Sequence, residues 1–325
     1  MNPYENWNIS DTDQKLYSIF MPRYVERVSK IAKKNQKLVH YTSAATALSI
    51  LKNKEIWMRN TRCMNDFSEV RYGIELFTRF CQMTEEYDLL KKAWGKKAGI
   101  FEEAFSSAIQ AFDEWSNSTY ICCFSEHEAE EDQFGRLSMW RGYGTDCGVA
   151  MVLRPDSFVA ENSDFQIRTS SVEYLDSEQF YTQLYELGVR VEREKAFIEM
   201  LPDNVISEWV MRIIKFAVVS IKHPGFKEEK EWRVIADMNS CQGLKLDTIA
   251  VNGIPQLVMK LPLTEEMENN GKGFSIPANL DHLIIGPTPY PAVIANALVK
   301  ELEKCGVADP WEKITASDIP YRAHV

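Results

Sequence analysis

Strand-like segments in this chain are scattered among long helix-like stretches, without the regular alternation of strand and helix that builds a parallel sheet. Apolar spacing and capping residues predict helices over about 12–34, 44–52, 65–94, 100–115, 177–199, 204–222 and 292–304. Pro22 is expected to kink or split the first of them. Short apolar runs predict strands over about 38–42, 55–60, 119–125, 148–153, 167–174, 232–237, 256–261 and 283–285. This order predicts an α+β fold with a mostly antiparallel or mixed sheet and large helical insertions.

The domain organisation follows from length and from the absence of linkers. The 325 residues are 45% hydrophobic, which is enough for a sizeable core in one large domain or two. No repeat, low-complexity tract or Pro/Ser-rich linker interrupts the sequence. We therefore predict an N-terminal helical extension over residues 1–36 and a single α+β domain over residues 37–325.

Several classes of protein are disfavoured. No stretch approaches eighteen uninterrupted apolar residues, so no membrane span is expected. The first eleven residues lack the basic and apolar regions of a signal peptide. The seven cysteines include no CxxC pair, which predicts reduced thiols, no metal site and a cytoplasmic location.

The charge of the chain argues against a broad nucleic-acid surface. Net charge is −10 and the pI is near 5.2, whereas proteins that bind many phosphates usually carry a basic face. A local basic pocket for one anionic ligand remains open, formed by Lys222, His223, Lys227, Lys230 and Arg233. Neither GxGxxG nor GxxxxGK[ST] occurs, so a Rossmann or P-loop nucleotide site is not expected.

Two carboxylates stand directly before a predicted strand, in the spacing Glu229-Lys230-Glu231. In an extended segment residues i and i+2 point to the same side, so both carboxylates could share one pocket. Two earlier predicted strands also carry polar groups, namely the segment His40-Tyr41-Thr42 and Ser125. The order is therefore His-Tyr, then Ser, then Glu-x-Glu, each on its own strand.

Each of these residues also has a structural explanation. The two glutamates are compatible with a solvated sheet face, paired weakly with Lys230 and Arg233. His40 in an apolar strand fits a satisfied core histidine, and Ser125 fits a residue that caps the next turn.

The remaining motif residues have structural explanations too. Trp140 fits core packing. Arg141 fits a buried partner of Asp66 or Glu69, and Asp66 fits a helix cap.

Several short blocks together resemble a widespread bacterial family catalogued only as a domain of unknown function. The resemblance covers roughly residues 38–322. Its blocks are Leu38 to Thr42 with Leu51-Lys52 and Glu55-Ile56-Trp57; Met64-Asn65-Asp66 with Glu69; Cys123-Phe124-Ser125-Glu126; Met139-Trp140-Arg141-Gly142-Tyr143-Gly144 with Gly148; Lys227 with Glu229-Lys230-Glu231-Trp232-Arg233; Leu283-Ile284-Ile285-Gly286-Pro287; and Ile319-Pro320-Tyr321-Arg322.

A remoter resemblance is to the ADP-ribosyltransferase superfamily, whose members carry three short motifs on separate strands of a split sheet. The motifs hold a His or Arg, then a Ser, Thr or Tyr, then a catalytic Glu that is often part of E-x-E. His40, Ser125 and Glu231 take these places in order. The short helix after Thr42 resembles the DNA- and tRNA-modifying branches. The resemblance implies an ADP-ribosyltransferase-like fold with a split sheet, and NAD as substrate.

The chemistry that this resemblance implies gives the two glutamates separate roles. Cleavage of the nicotinamide–ribose bond passes through an oxocarbenium-like ribose cation, as in glycoside hydrolysis. Glu231 would stabilise that charge as it develops. Glu229 would act as the general base for the incoming nucleophile.

The other motif residues are then expected to bind NAD. His40 would contact the adenosine ribose, and Ser125 would fix the first motif or bond the ribose. An aromatic wall at Tyr41 or Tyr143 would stack on nicotinamide. Arg141 suits the pyrophosphate, and the predicted binding set also includes Thr42 and Trp140.

These arguments predict an enzyme that transfers ADP-ribose to a macromolecule or hydrolyses NAD, as a bacterial toxin or phage-defence effector. The acceptor (protein, DNA, RNA or water) and the oligomeric state stay open. One alternative is a metal-dependent nuclease that holds Mg²⁺ through Asp66, Glu69, Glu229 and Glu231. Another is a non-enzymatic defence or stress sensor or adaptor, favoured by a filled core around His40 and Glu231; an open cleft favours an enzyme.

Overall fold

The computed structural model describes residues 9–64, 69–144, 147–155, 167–241, 243–251, 253–264, 268–269, 272–273 and 275–320. Contacts between α-carbons divide the chain into two compact units. The first, here called the helical unit, comprises Met1–Arg27, Asn60–Thr119 and Ser171–Lys227. The second, here called the sheet unit, comprises Val28–Arg59, Tyr120–Ser170 and Glu228–Val325. The predicted domain boundary after residue 36 stays a prediction.

The chain is α+β, as predicted. Its helices are α1 Asp11–Phe20, α2 Pro22–Lys34, α3 Ala44–Asn53, α4 Glu69–Gln82, α5 Thr84–Ala93, α6 Ala98–Gln110, α7 Phe112–Ser118, α8 Leu137–Tyr143, α9 Ser177–Arg193, α10 Lys195–Met200, α11 Asp203–Ser220, α12 Ile276–Asn279 and α13 Pro291–Lys304. Short 3-10 helices lie at Thr61–Cys63, Gly95–Lys97, Ala129–Glu131, Pro224–Glu229 and Pro310–Lys313.

All eight segments predicted from the sequence contain strands, the segment over residues 167–174 as two, and further strands were not predicted. They are β1 Leu38–Ser43, β2 Glu55–Asn60, β3 Thr119–Glu126, β4 Gly148–Leu153, β5 Arg168–Ser171, β6 Glu173–Tyr174, β7 Ile221–Lys222, β8 Glu231–Asp237, β9 Lys245–Val251, β10 Ile254–Pro262, β11 Glu268–Asn269, β12 Lys272–Gly273, β13 Leu280–Ile285 and β14 Ile314–Ala316.

Local chemistry explains where several helices begin. Ser10 accepts a hydrogen bond from the backbone N–H of Asp13 at 3.1 Å and so caps α1. Pro22 divides the helix predicted over residues 12–34, as expected, because proline lacks an amide donor but is accommodated in the first turn of the new helix, α2. Ser43 caps α3 through the backbone N–H of Thr46, so a helix starts directly after β1.

The helical unit is held by aromatic packing between long helices. Helix α11 packs against α4 and α6, and α5 packs against α9. Phe77 meets Phe180 edge to face at 4.8 Å, and Trp94 stacks on Phe101 at 4.9 Å. No helix among the described residues has both the length and the apolar character needed to cross a membrane.

The sheet unit is built on a mixed, mostly antiparallel sheet of ten strands. The main path runs β14-β13-β4-β1-β3-β2-β10-β9, and β8 joins it by pairing with β3 while β5 pairs with β8. The β1–β4, β4–β13, β2–β10 and β9–β10 ladders are antiparallel, whereas β13 and β14 are parallel. Strand β3 therefore has three strand neighbours, and the sheet branches there.

The pairing of β1 differs sharply on its two sides. Against β4 it pairs along all six residues, from Leu38 opposite Leu153 to Ser43 opposite Gly148. Against β3 the ladder has two pairs, Leu38 with Glu126 and Val39 with Ser125. The backbone pairing between β1 and β3 thus ends before His40.

One face of this sheet carries a core centred on Trp140. The indole is 2% exposed and donates from Nε1 to the carbonyl of Phe134 at 2.8 Å. Gly286 leaves the space for the ring, because a Cβ added there would lie 2.9 Å from Trp140 Cε3. Gly135 has φ +68° and a Cβ there would meet the same ring. Around the indole lie Val39, Tyr41, Met139, Ala150, Val152 and Ile284.

Candidate functional site

The three predicted motifs lie on three neighbouring strands of the sheet unit. Strand β1 carries His40, β3 carries Ser125 and β8 begins at Glu231. Strand β3 pairs with β1 and also with β8. Residues far apart in sequence are thus brought to adjacent strands, in the order of the motifs.

Glu231 is buried in an ion pair with its strand neighbour Arg233. Arg233 Nε donates to Glu231 Oε1 at 2.8 Å and Nη2 donates to Oε2 at 3.1 Å. The carboxylate residue is 5% exposed and the arginine is fully buried. Such a bidentate pair fixes the carboxylate, so the arginine, which was predicted as part of a basic pocket, is a partner of Glu231.

Glu229 does not continue the strand of Glu231, which corrects the expectation of an extended E-x-E segment. Glu229 ends the 3-10 helix Pro224–Glu229, and Lys230 has a positive φ of 45°. The alternation of an extended chain therefore does not apply between the two carboxylates. Glu229 is half-buried, and its Oε1 accepts a hydrogen bond from Tyr143 Oη at 3.0 Å.

His40 is partly exposed and bonds the strand beside it through its ring. Nδ1 lies 2.9 Å from the carbonyl oxygen of Cys123. A carbonyl only accepts, so Nδ1 carries the proton, and in the neutral ring Nε2 is an acceptor. Burial lowers the pKa of His40, and the bond to Cys123 opposes that shift in part. The ring also lies 5.5 Å from that of Phe124.

His40 and Glu231 project from opposite faces of the paired strands. Val39 is opposite Ser125, so these two share a face and His40 lies on the other face, with Phe124. Glu126 is two residues after Phe124 in β3, so it lies on the same face as Phe124 and His40. Trp232 Nε1 donates to Glu126 Oε1 at 2.9 Å, so Trp232 also lies on that face. Glu231, its neighbour in the strand, therefore lies on the face of Ser125.

Three of the seven predicted NAD-binding residues, Tyr41, Ser125 and Trp140, lie inside the core. Ser125 is buried with its Oγ 4.0 Å from the sulfur of Met139. Tyr41 is buried, meets Trp140 edge to face at 4.9 Å, and accepts a hydrogen bond from the backbone N–H of Arg136 at 2.8 Å. Burial strongly raises the pKa of the Tyr41 phenol.

The C-terminal end of α8 is more open. Arg141 is exposed and Tyr143 is half-buried, while Thr42 in β1 is also half-buried. With Glu229 they form the part of the predicted site that solvent reaches. The bond from Tyr143 to Glu229 is the direct contact between predicted binding and catalytic residues in this open part.

Arg136 is a central residue that sequence reasoning missed. Nε and Nη2 bind the two carboxylate oxygens of Glu131 at 2.8 and 3.1 Å. Nη1 donates to the carbonyls of Glu228 and Glu229, and Nη2 also donates to that of Glu126. All five guanidinium N–H groups are thereby used, and they fix the segment that leads into Glu231. The acidic stretch 126–132 offered a signal, because so many carboxylates require cationic partners.

Among the described residues, one group of histidines and carboxylates is compact enough to hold a metal ion, namely His127, Asp132 and His282. It is separate from the carboxylates predicted for a nuclease. Of those, Asp66 and the side chain of Glu69 lie outside the described residues, and Glu231 is paired with Arg233.

Comparison with known proteins gives a partial match to one family model and no activity. The family model described as "Protein of unknown function (DUF2971)" matches residues 139–234, which include most of α8 and most of β8. This match supports the predicted resemblance to a family of unknown function. No curated protein and no solved structure matches the chain significantly.

Proposed function

We propose that the sheet unit is ADP-ribosyltransferase-like, that it binds NAD, and that it transfers ADP-ribose to a protein or nucleic acid or hydrolyses NAD. The observation that supports this proposal is the contiguity of the three motif strands, with the Ser strand β3 between the His strand β1 and the Glu strand β8. The resemblance implied separate strands of a split sheet, and the three strands lie side by side although the motifs are widely separated in sequence. The same resemblance leads us to propose a cytoplasmic toxin or phage-defence effector.

The short ladder between β1 and β3 supports a split sheet. A ligand that contacts both His40 and Glu231 must pass from one face to the other, because the two side chains project oppositely. The place for that passage is beyond Val39, where β1 and β3 no longer pair. There the acceptor nitrogen Nε2 of His40 suits a ribose hydroxyl.

The proposed reaction breaks the bond between nicotinamide N1 and ribose C1′. The bonding electrons leave with nicotinamide, which becomes neutral, while a nucleophile bonds to C1′. Glu231 stabilises the positive ribose, and Glu229 takes the proton that the nucleophile loses. The exposed position of Arg141 suits the pyrophosphate, and the half-exposed Tyr143 suits nicotinamide stacking.

A direct test measures nicotinamide release and NAD binding by the purified protein, with and without cell lysate. Release that disappears in Glu231→Gln and persists in Glu130→Gln, an exposed glutamate in the same unit, supports the proposal. A requirement for lysate indicates a macromolecular acceptor. The proposal fails if calorimetry detects no NAD binding and neither condition yields nicotinamide.

A second candidate, a non-enzymatic sensor or adaptor, is favoured by the filled core around the motif residues. Tyr41, Ser125, Trp140 and Glu231 are all buried. In this case a nucleotide would shift the melting temperature without being consumed. NAD binding with no release of nicotinamide, alone or in lysate, would favour this candidate over the enzyme.

A further inference from the structure

Two histidines and an aspartate of the sheet unit converge from three different elements. His127 follows β3 directly, Asp132 follows the 3-10 helix Ala129–Glu131, and His282 lies in β13. His127 Nε2 is 2.7 Å from Asp132 Oδ1, and His282 Nε2 is 3.6 Å from the same oxygen. The three ligand atoms lie within 4.8 Å of one another.

Buried nitrogens in this cluster lack hydrogen-bond partners. His282 Nε2 is buried with no hydrogen bond to any described residue, and the same holds for His127 Nδ1. The His127 side chain is completely buried. Leaving buried polar atoms unsatisfied costs about 1–3 kcal/mol each, so an absent partner is indicated. The unsatisfied His282 nitrogen faces Asp132, which places that partner between the three side chains.

A contact outside the cluster orients the His282 imidazole. His282 Nδ1 lies 2.8 Å from Asp281 Oδ2, which makes Nδ1 the protonated nitrogen and leaves the Nε2 lone pair facing the cluster. Histidines that bind metals commonly donate their other N–H to a carboxylate in this way. His127 Nδ1 lies 3.7 Å from Glu131 Oε2, which is beyond hydrogen-bond distance.

A β-bulge in β13 lies directly at this cluster. The register against β4 shifts between Leu280 and His282. This shift lets two consecutive residues, Asp281 and His282, contact each other and the same cluster. Lys37 Nζ binds Asp281 Oδ2 at 2.7 Å and lies 3.8 Å from Asp132 Oδ1, so a cation already balances the outer carboxylate.

We propose that His127 Nε2, His282 Nε2 and Asp132 Oδ1 form a binding site for one divalent transition metal of the Zn²⁺ type. Metal binding replaces the hydrogen bond from His127 Nε2 to Asp132, and the imidazole proton moves to Nδ1, beside Glu131. Ligand atoms bound at about 2.0–2.1 Å to a tetrahedral Zn²⁺ lie about 3.3 Å from one another. The observed distances from Asp132 Oδ1 to the two Nε2 atoms, 2.7 and 3.6 Å, lie on either side of that value. Two imidazoles and one carboxylate suit Zn²⁺ and leave a fourth position for water or another ligand. Asp132 is 41% exposed, so solvent reaches that position.

The site is independent of the proposed NAD chemistry. It uses none of the motif residues, and it was not expected from the sequence, because His282 lies far from the other two ligands and no CxxC pair was present. Tertiary structure alone brings the three side chains together.

Equilibrium dialysis of untagged full-length protein against Zn²⁺, with metal analysis, tests the proposal. We expect one Zn²⁺ per chain and a loss of affinity of roughly a hundredfold or more in Asp132→Asn and in His282→Gln. Asp281→Asn should weaken binding by about 10–100-fold, since Asp281 orients a ligand. His223→Gln changes an exposed histidine of the helical unit and should bind like the wild type.

The visible spectrum of Co²⁺ bound in place of Zn²⁺ reports the type of ligand in the wild-type protein, without relying on variants that could misfold. Co²⁺ bound here should show visible bands without thiolate-to-cobalt absorption, because no cysteine belongs to the cluster. Circular dichroism of each variant checks that the fold is retained. Absence of stoichiometric Zn²⁺ in the wild type, equal binding in folded Asp132→Asn and His282→Gln, or thiolate bands would each overturn the proposal.

Discussion

Arg233 donates two hydrogen bonds to Glu231, the residue two positions before it on β8, and both side chains are buried. The carboxylate that the sequence marks as catalytic is therefore also a structural partner. Removing it takes a carboxylate and two hydrogen bonds away from a buried guanidinium. Any test of catalysis at this position must separate the two effects.

Glu231→Gln should lower the free energy of unfolding by about 3–5 kcal/mol, because it removes one charge of a buried pair. The double variant Glu231→Gln/Arg233→Met should recover most of that loss, since an apolar replacement removes the buried guanidinium charge as well. Urea denaturation measures both. Equal stability of the single variant and the wild type would contradict the burial of the pair, and a folded but inactive double variant would isolate the chemical role of Glu231.

Gly286, which lies against the Trp140 ring, should not tolerate replacement by a residue with a side chain. In Gly286→Ala the new Cβ would lie 2.9 Å from Trp140 Cε3, so the ring or the backbone must move. Overpacking of this kind costs about 1–3 kcal/mol. Thermal unfolding should show a lower melting temperature.

Gly142→Ala is the matched control for this substitution. Gly142 lies in α8, and a Cβ there meets no atom within 4 Å. Alanine at this helical position should be neutral or stabilise by up to about 1 kcal/mol. A similar loss of stability in both variants would show that Trp140 is not the obstacle.

His40 should make stability depend on pH below neutrality. Its pKa is lowered by burial in the folded chain, so below about pH 6.5 the unfolded chain binds a proton that the folded chain does not. Stability attributable to His40 therefore falls as pH falls, until the lower folded pKa is reached. The slope is at most about 1.4 kcal/mol per pH unit.

In His40→Asn the side-chain amide replaces the Nδ1 donor to Cys123 but does not titrate. Urea midpoints at pH 7.5 and 5.5 should differ less in this variant than in the wild type. His223→Gln, at an exposed position, should retain the wild-type difference. An unchanged difference in His40→Asn would remove His40 as its source.

Arg136→Lys should loosen the segment between β3 and α8. A lysine ammonium cannot reproduce five N–H bonds directed to Glu131 and to the carbonyls of three other residues. We expect a loss of about 2–4 kcal/mol and faster amide hydrogen exchange over residues 127–135. Arg193, in α9, forms an exposed ion pair with Glu194 and serves as the control. Arg193→Lys should change the free energy of unfolding by less than about 0.5 kcal/mol.

Much of the architecture followed from sequence because its elements carry strong local patterns. Strands β2 and β4 have the predicted bounds, and α13 differs by one residue. Strand β9 was missed because its side chains are mostly exposed and show no apolar alternation. Helix α8 was missed because it is short and contains Gly142.

The candidate site could be predicted only in part. Each motif strand was predicted because it carried its own local signal, whereas the adjacency of the three strands in the sheet was not predicted. The left-handed residue Lys230 and the partner of Glu231 could not be read from spacing, because the positive φ and the ion pair depend on the surrounding fold. The cluster of His127, Asp132 and His282 was missed because no local pattern joins these residues.

The branching of the sheet at β3 affects how segments of the chain can be expressed and when the sheet can fold during synthesis. The segment matched by the family model, residues 139–234, contains β4 and most of β8, but neither β1 nor β3, with which they pair. Expressed alone, it would present open strand edges, which favour aggregation. During synthesis β3 cannot pair with β8 until more than a hundred further residues have been made. We therefore expect the sheet to fold slowly, and only after β8 has left the ribosome.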